Sequence, residues 1–257
     1  MMRKARDLKE ANPGQVVFLD FYAKDFDTQV TLAPVQVSRR FWSSTLKIAL
    51  DDLASLVAPE QVVLCEGQPA ASENDRKAEF DSQCYHTIFA TEFPGTAFIS
   101  AGNALDIQTD RLQIGRVIKS LVSGIELLRL VDRDDRSPTE ISDLQSKGVR
   151  VLTRRHLEAY LLDDEVLSSL CCTTGNQDKV DEVLAAKQKA MQASQARGNA
   201  PDDVKSAAGE IHNKVKRILK LTKCGNTSRA FLRDTIAPLM APGLRVYAEL
   251  RKDIFGQ

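Results

Sequence analysis

From residue 61 onward, short runs of apolar and β-branched residues alternate with stretches of helical periodicity. That alternation restricts the chain to an α/β architecture made of βαβ units around a parallel sheet. Four runs qualify as strands: 61–65 (QVVLC), 96–100 (TAFIS), 125–131 (IELLRLV) and 149–152 (VRVL). Helices are expected between them over 76–90, 110–123 and 138–147. Pro138 suits the last of these, because the first turn of a helix leaves its N–H groups unpaired anyway. Beyond about residue 154 the pattern is helical throughout, with a polar stretch over 178–197 and a Gly-Asn-Ala-Pro break at 198–201.

The residues before 61 read differently. The runs 15–20 (QVVFLD) and 29–33 (QVTLA) are β-like and separated by a polar segment, which predicts a hairpin. Over 41–57, Leu46, Leu50, Leu53 and Val57 fall near one helical face, and the pattern stops before Pro59. At roughly 150 residues per domain, 257 residues accommodate one main domain with extensions. The expected division is therefore 1–58 for the hairpin and helix, 59–172 for the α/β domain and 173–257 for a helical extension.

Several function classes drop out on composition. The chain has 35 basic and 35 acidic residues, so contact with a polyanion must come from local patches and not from a cationic surface. No apolar run approaches the roughly 18 residues of a membrane helix, and the charged start lacks an apolar segment behind it, so a cytoplasmic protein without a membrane partner is expected. Five cysteines, odd in number and without Cys-x-x-Cys spacing, argue for free thiols over a disulfide framework. His86, His156 and His212 are far apart and lack zinc-ligand spacing. A Gly-x-Ser-x-Gly nucleophile pattern is missing as well. Phe41, Trp42 and Phe80 are expected to pack; Asp81 and Tyr85, one turn apart on the first crossover helix, could look into the cleft, with core or surface packing the favoured reading.

Chemistry is expected at the carboxyl ends of the first and third strands, where open parallel sheets bind ligands. Glu66-Gly67 follows the first strand immediately, and Asp132-Arg133-Asp134-Asp135 follows the third. In an extended backbone, residues two apart point the same way, so Asp132 and Asp134 can share a ligand while Asp135 faces elsewhere. Carboxylates converging in one cleft repel one another unless a cation neutralises them, and hard oxygen donors favour Mg²⁺ or Mn²⁺. A solvated acidic loop is the competing reading of the same residues.

The segment Val62-Val63-Leu64-Cys65-Glu66-Gly67, followed roughly 65 residues later by Leu130-Val131-Asp132-Arg133-Asp134, resembles the TOPRIM domain of topoisomerases, primases and overcoming-lysogenisation-defect (OLD) nucleases. The resemblance covers about residues 60–172. It implies a four-stranded, Rossmann-like parallel sheet with Glu66, Asp132 and Asp134 as metal ligands. The segment Leu152-Thr153-Arg154-Arg155-His156-Leu157-Glu158-Ala159-Tyr160-Leu161 is similar to a Glu-x-Tyr-Leu-like element of OLD-type members, which would give Glu158 to a second cation. Where OLD nucleases often carry another acid after the glycine, this chain has Gln68, Pro69 and Ala70.

The opening residues 16–20 and 30–34 resemble the tail of the ABC-type ATPase that precedes TOPRIM in OLD proteins, yet the chain has no Gly-x-x-x-x-Gly-Lys-Ser/Thr loop. The resemblance thus implies a separate ABC-type ATPase partner or a longer ancestral chain, and no ATP hydrolysis by this one.

Together these readings predict a Mg²⁺- or Mn²⁺-dependent nuclease of a bacterial anti-phage system, acting on nucleic acid with DNA ahead of RNA. Glu66 would act as ligand or general base, and Arg155, Lys205 or Lys223 would offset charge at the scissile phosphate. On 211–220, Lys214, Lys216, Arg217 and Lys220 form a basic face that could contact phosphates or simply be solvated. The alternative function is a non-catalytic adaptor or binding subunit of an ATPase complex, and the oligomeric state, monomer or homo-oligomer, stays open.

Overall fold

A computed structural model describes residues 59–68, 79–110, 113–121 and 125–256, together with scattered positions among the first 34. The chain divides into two compact units, Met1–Ala58 and Pro59–Gln257. In the first unit an antiparallel bridge joins Leu19, in the first β-like run, to Pro34, one residue past the second. The helix expected over 41–57 lies outside the described residues, and so do most of the hairpin and the ATPase-like tail.

The second unit is an α/β fold. Its strands are β1 (Gln61–Cys65), β2 (Thr96–Ser100), β3 (Glu126–Val131) and β4 (Val149–Val151). They form one all-parallel sheet in the order β2-β1-β3-β4. Strand order therefore reverses between β1 and β3, whose carboxyl ends flank the crevice where such sheets bind ligands.

Helices cover both faces. On one side lie α2 (Ala104–Thr109), α3 (Ile114–Leu121) and α4 (Pro138–Ser146), which pack Ile107, Ile114, Ile118, Ile141 and Leu144 against Val62, Leu64, Val131, Val149 and Val151. On the other, α1 (Phe80–Phe89) packs Tyr85 and Phe89 against Val63, Cys65 and Leu130. β1 thus sends alternate residues into opposite cores, as the period-2 geometry of a strand requires. Its near-continuous apolar run follows from burial on both faces.

Past β4 the chain continues as α5 (Leu157–Leu161), α6 (Asp164–Thr173), α7 (Val180–Ala196), α8 (Val204–Ile218), α9 (Ser228–Phe231) and α10 (Arg245–Phe255). Their buried residues, among them Val183, Ile211, Val215, Phe231 and Leu250, belong to the same core as Val63 and Phe89. Sheet and helical extension are therefore one compact unit. Each large apolar side chain buried there contributes about 1.5–3 kcal/mol.

Two helix expectations need correction. Of the helix expected over 110–123 the structure forms α3 at 114–121, and a further helix, α2, precedes it and ends where Asp110 takes the left-handed conformation (φ 48°). Its carboxylate then accepts from the Gly115 and Arg116 N–H groups at the start of α3. Asn103 and Asp106 form a reciprocal capping box that starts α2, a cue present in the sequence. α1 begins at Phe80, with Glu79 left-handed just before it (φ 60°), and positions 76–78 of the expected span lie outside the described residues. α4 starts as expected, with Pro138 in its first turn and a Ser137–Glu140 capping box.

The five cysteines are free thiols, and of the adjacent pair on α6, Cys171 is buried and Cys172 exposed. Among the described residues no helix is long and apolar enough to cross a membrane.

Candidate metal and nucleic-acid site

The site begins where β1 ends. Glu66 leaves the strand directly, and Gly67 makes this possible by adopting φ 137°, a conformation that L side chains rarely reach. Gly67 pairs back to Gly102 through two N–H···O bonds of 3.0 and 2.9 Å, and a Cβ on it would meet Ser100 Oγ at 2.7 Å. The Glu-Gly pair is therefore a strand-end turn that no other residue fits without strain.

From the adjacent strand, the Asp132 N–H donates to Glu66 Oε1 at 3.0 Å, bridging the ends of β1 and β3 directly. Asp132 itself is only 8% exposed. Burial, then the charges of Asp81 and Glu66, drive its carboxyl well above the usual range. Burial also raises Glu66, partly offset by the Asp132 amide.

Asp134 reaches the site by a different route from the one its spacing suggested. β3 stops at Val131, so the extended-backbone relation between Asp132 and Asp134 does not apply. Instead Asp134 sits in a turn with φ 47°, its N–H donating to the Arg155 carbonyl at 2.9 Å. An aspartate tolerates this left-handed geometry better than most residues. Its side chain is half-exposed and pairs with Arg136 at 3.4 Å, while the same guanidinium donates to the Asp132 carbonyl. Asp134 remains close enough to Glu66 to oppose its ionisation.

Glu158 on α5 enters from the opposite wall and is 6% exposed. It lies 3.5 Å from His156 Nδ1 and 4.0 Å from Lys205 Nζ. Asp81, for which packing was favoured over a place in the cleft, is a carboxylate left out of the expected site. Burial, then Glu158, push its pKa up to about 7, with Lys205 opposing. Helix phase alone left its direction open, and the packing of α1 on the sheet settles it. Tyr85, one turn on, is buried in the core as expected.

Lys205 is the cation shared by this group. Burial acts to lower it, but Glu158, Asp132, Asp81 and Asp134 outweigh that and hold it above its ordinary value. Its backbone N–H donates to His156 Nε2 at 3.3 Å. Asp203 caps α8 through the Ser206 N–H and also lies 3.2 Å from His156 Nε2. His156, 2% exposed, therefore joins the loop carrying Glu158 to the start of the helix carrying Lys205.

That loop is held from behind as well. Asp253 on α10 accepts from the Thr153 N–H and Oγ1 at 2.8 and 2.7 Å and from the Tyr160 hydroxyl. Arg154 pairs with Glu249 at 2.8 Å and Asp163 at 2.7 Å. Tyr160 is thus a fully buried anchor for the turn that presents Glu158.

The remaining candidates fall elsewhere. The Arg155 guanidinium binds Asp135 and Asp202 on the rim, 3.3 Å from the latter. Lys214 pairs with Glu210 at 2.7 Å, and with Arg217 it lines a groove of about 440 Å³ between α7 and α8. Lys216 returns to about the same side of the helix as Lys205 at 100° per residue, whereas Lys220 lies past the helix end with φ 52°. Lys214, Lys216 and Arg217 lie roughly 14–18 Å along α8 from Lys205 at 1.5 Å per residue. Lys223 lies beyond that helix.

The donor set suits a hard divalent cation in kind: all oxygen, largely buried, and in surplus of negative charge. Among the described residues no hydrogen-bond donor reaches the Asp132 or Asp81 carboxylates. Equally, no three His, Cys, Asp or Glu side chains there stand close enough to ligate one ion as placed. Ligation would require the side chains to draw in from their present rotamers. No protein-family model, curated protein or solved structure matches the chain, so its likeness to TOPRIM domains stands on the quoted motifs alone.

Proposed function

We propose that the crevice between β1 and β3 holds a divalent cation and hydrolyses nucleic-acid phosphodiesters. The observation that carries this reading is the convergence of Glu66, Asp132 and Asp134, from two neighbouring strand ends, with Glu158 and Asp81 at the topological switch point. Such a concentration of poorly solvated carboxylates is unfavourable unless a cation joins it.

Asp132, Asp134 and Glu66 would hold Mg²⁺ or Mn²⁺, with Glu158 placed for a second ion. A bound cation would supply stabilisation of the charge that develops on the phosphoryl oxygens. Glu66 keeps Oε1 on the Asp132 amide, leaving Oε2 for a ligand or for a proton from the attacking water. Its raised pKa makes it a stronger base than an ordinary carboxylate. Lys205, half-exposed at the mouth, can meet a phosphate.

A polymer spanning from Lys205 to the basic end of α8 would cover roughly four to five nucleotides at about 3.4 Å per step, which favours an extended nucleic acid over a mononucleotide. Action within an anti-phage system beside a separate ABC-type ATPase belongs to the same proposal and rests on the motif resemblance.

Plasmid nicking with Mg²⁺ or Mn²⁺ tests it, with and without a candidate ATPase. The parent should nick, and Asp132→Asn should lose at least about a hundredfold in rate, since it removes a central oxygen donor. Metal-dependent cleavage by neither protein under any of these conditions would leave the non-catalytic adaptor as the better reading.

A further inference from the structure

We propose that the groove between α7 and α8 binds phosphates, taken from the backbone of a single nucleic-acid strand by charge and without reading its bases. The inference rests on nucleic acid as the substrate class and adds a contact surface apart from the carboxylate crevice.

The two helices run antiparallel. The chain turns back over 197–203, and Lys179, just before α7, donates from Nζ to the Ile218 carbonyl at the end of α8 at 3.0 Å. Glu182, Ala185, Ala186 and Lys189 recur at helical spacing and so share one side of α7. Lys214 and Arg217, one turn apart on α8, line the opposite wall, and about 440 Å³ lies between the two rows.

Four cations thus face the groove against one carboxylate, Glu182, in a chain whose basic and acidic residues are equal in number. Two of them are held: Lys179 by the Ile218 carbonyl, and Lys214 by Glu210 at 2.7 Å. Lys189 and Arg217 are exposed, and neither has an ion-pair or hydrogen-bond partner among the described residues. On a convex helix face such side chains spread into solvent, whereas a concave wall keeps their charges close. An anion in the groove relieves that repulsion.

The shape selects the kind of anion. From Lys179 to Lys189 the rise is roughly 15 Å at about 1.5 Å per residue, more than one phosphate spans. At about 3.4 Å per nucleotide that is roughly four steps of a strand. Ala185 and Ala186 form the floor, and their small side chains leave room for a backbone. Among the described residues no aromatic side chain lines the groove, so bases find nothing to stack on. Contact is therefore with phosphates, which position a strand without carrying sequence information.

Fluorescence anisotropy of labelled deoxythymidine and deoxyadenosine oligomers on the whole chain, in EDTA, tests this without metal or cleavage. The parent should bind both oligomers to within about twofold. Lys189→Glu with Arg217→Glu should lose at least about tenfold in affinity and flatten the slope of log affinity against log salt by about 1.4, the loss of two single-strand phosphate contacts. A control reversing two exposed cations elsewhere, Lys147→Glu with Lys252→Glu, should lose less than about threefold, and thermal unfolding should confirm that all three proteins are folded. Equal losses in the two double variants, or binding that the groove reversal leaves unchanged, would overturn the groove alone. Calorimetry with tripolyphosphate separates the source: its loss in the groove variant, with oligomer binding intact, would overturn the strand as occupant. Failure of the folded parent to bind either oligomer would overturn the nucleic-acid reading with it.

Discussion

Replacing Asp81 by asparagine should change the way stability responds to pH. Burial against the sheet, followed by the charge of Glu158, raises this carboxyl from 3.8 to about 7. Because the folded-state pKa lies above the unfolded one, its contribution is fully present below the unfolded value and is lost as pH rises through the folded value. Between about pH 4 and pH 7 the native state binds the extra proton, so stability falls by at most about 1.4 kcal/mol per pH unit. Three units set a ceiling of roughly 4 kcal/mol. Lys205 stays charged beside the ionised group and solvent reaches part of the cleft, so about 1–2 kcal/mol is the expected size. The asparagine keeps the shape and removes the titration. Urea-unfolding midpoints measured in EDTA from about pH 5 to pH 8 should show the variant about 1–2 kcal/mol more stable at the alkaline end, with the curves converging toward pH 5. An offset that stays constant across this range, or a parent that is the more stable at pH 8, would refute the placement of Asp81 among the other carboxylates.

Two further substitutions probe the frame around the site. Gly67→Ala forces an L side chain into φ 137° and toward Ser100, and should lower the urea-derived stability by about 1–3 kcal/mol. Tyr160→Phe leaves the Arg154 N–H and one oxygen of Asp253 without the hydroxyl they share, for a loss of about 1–3 kcal/mol by the same assay. Neither residue is proposed to touch a substrate, so a change in cleavage larger than the fall in folded fraction would show that the strand-end turn or the Glu158 loop sets the geometry of the cluster.

The parts of this molecule that are legible in its sequence are those governed by local pattern. β1 coincides with its apolar run because residues buried on two faces leave no polar interruption to blur the ends, and β2 coincides with its run as well. Glu66 and Asp132 are legible for a related reason: each comes directly after a strand, and neighbouring strands place their ends side by side. Asp134 was reached from a wrong premise, since an extended backbone was assumed where the chain turns left-handed. Asp81 could not be read because one helical turn either way decides between core, cleft and solvent. His156 and Asp203 are separated from each other by 47 residues, and the helical packing that joins them leaves no periodic trace. Arg155, one of three candidate phosphate contacts, has partners that no local pattern announces: Asp202 and Asp135 engage its guanidinium.

The hold that Asp253 has on Thr153 and Tyr160 has a consequence for biosynthesis. The segment bearing Glu158 and its latch are made about a hundred positions apart, so on the ribosome the sheet can gather long before the latch has emerged. Until then the turn lacks three of its hydrogen bonds and the full set of oxygens has no fixed arrangement. A nascent chain would thus hold this turn loosely until the residues around Asp253 have emerged.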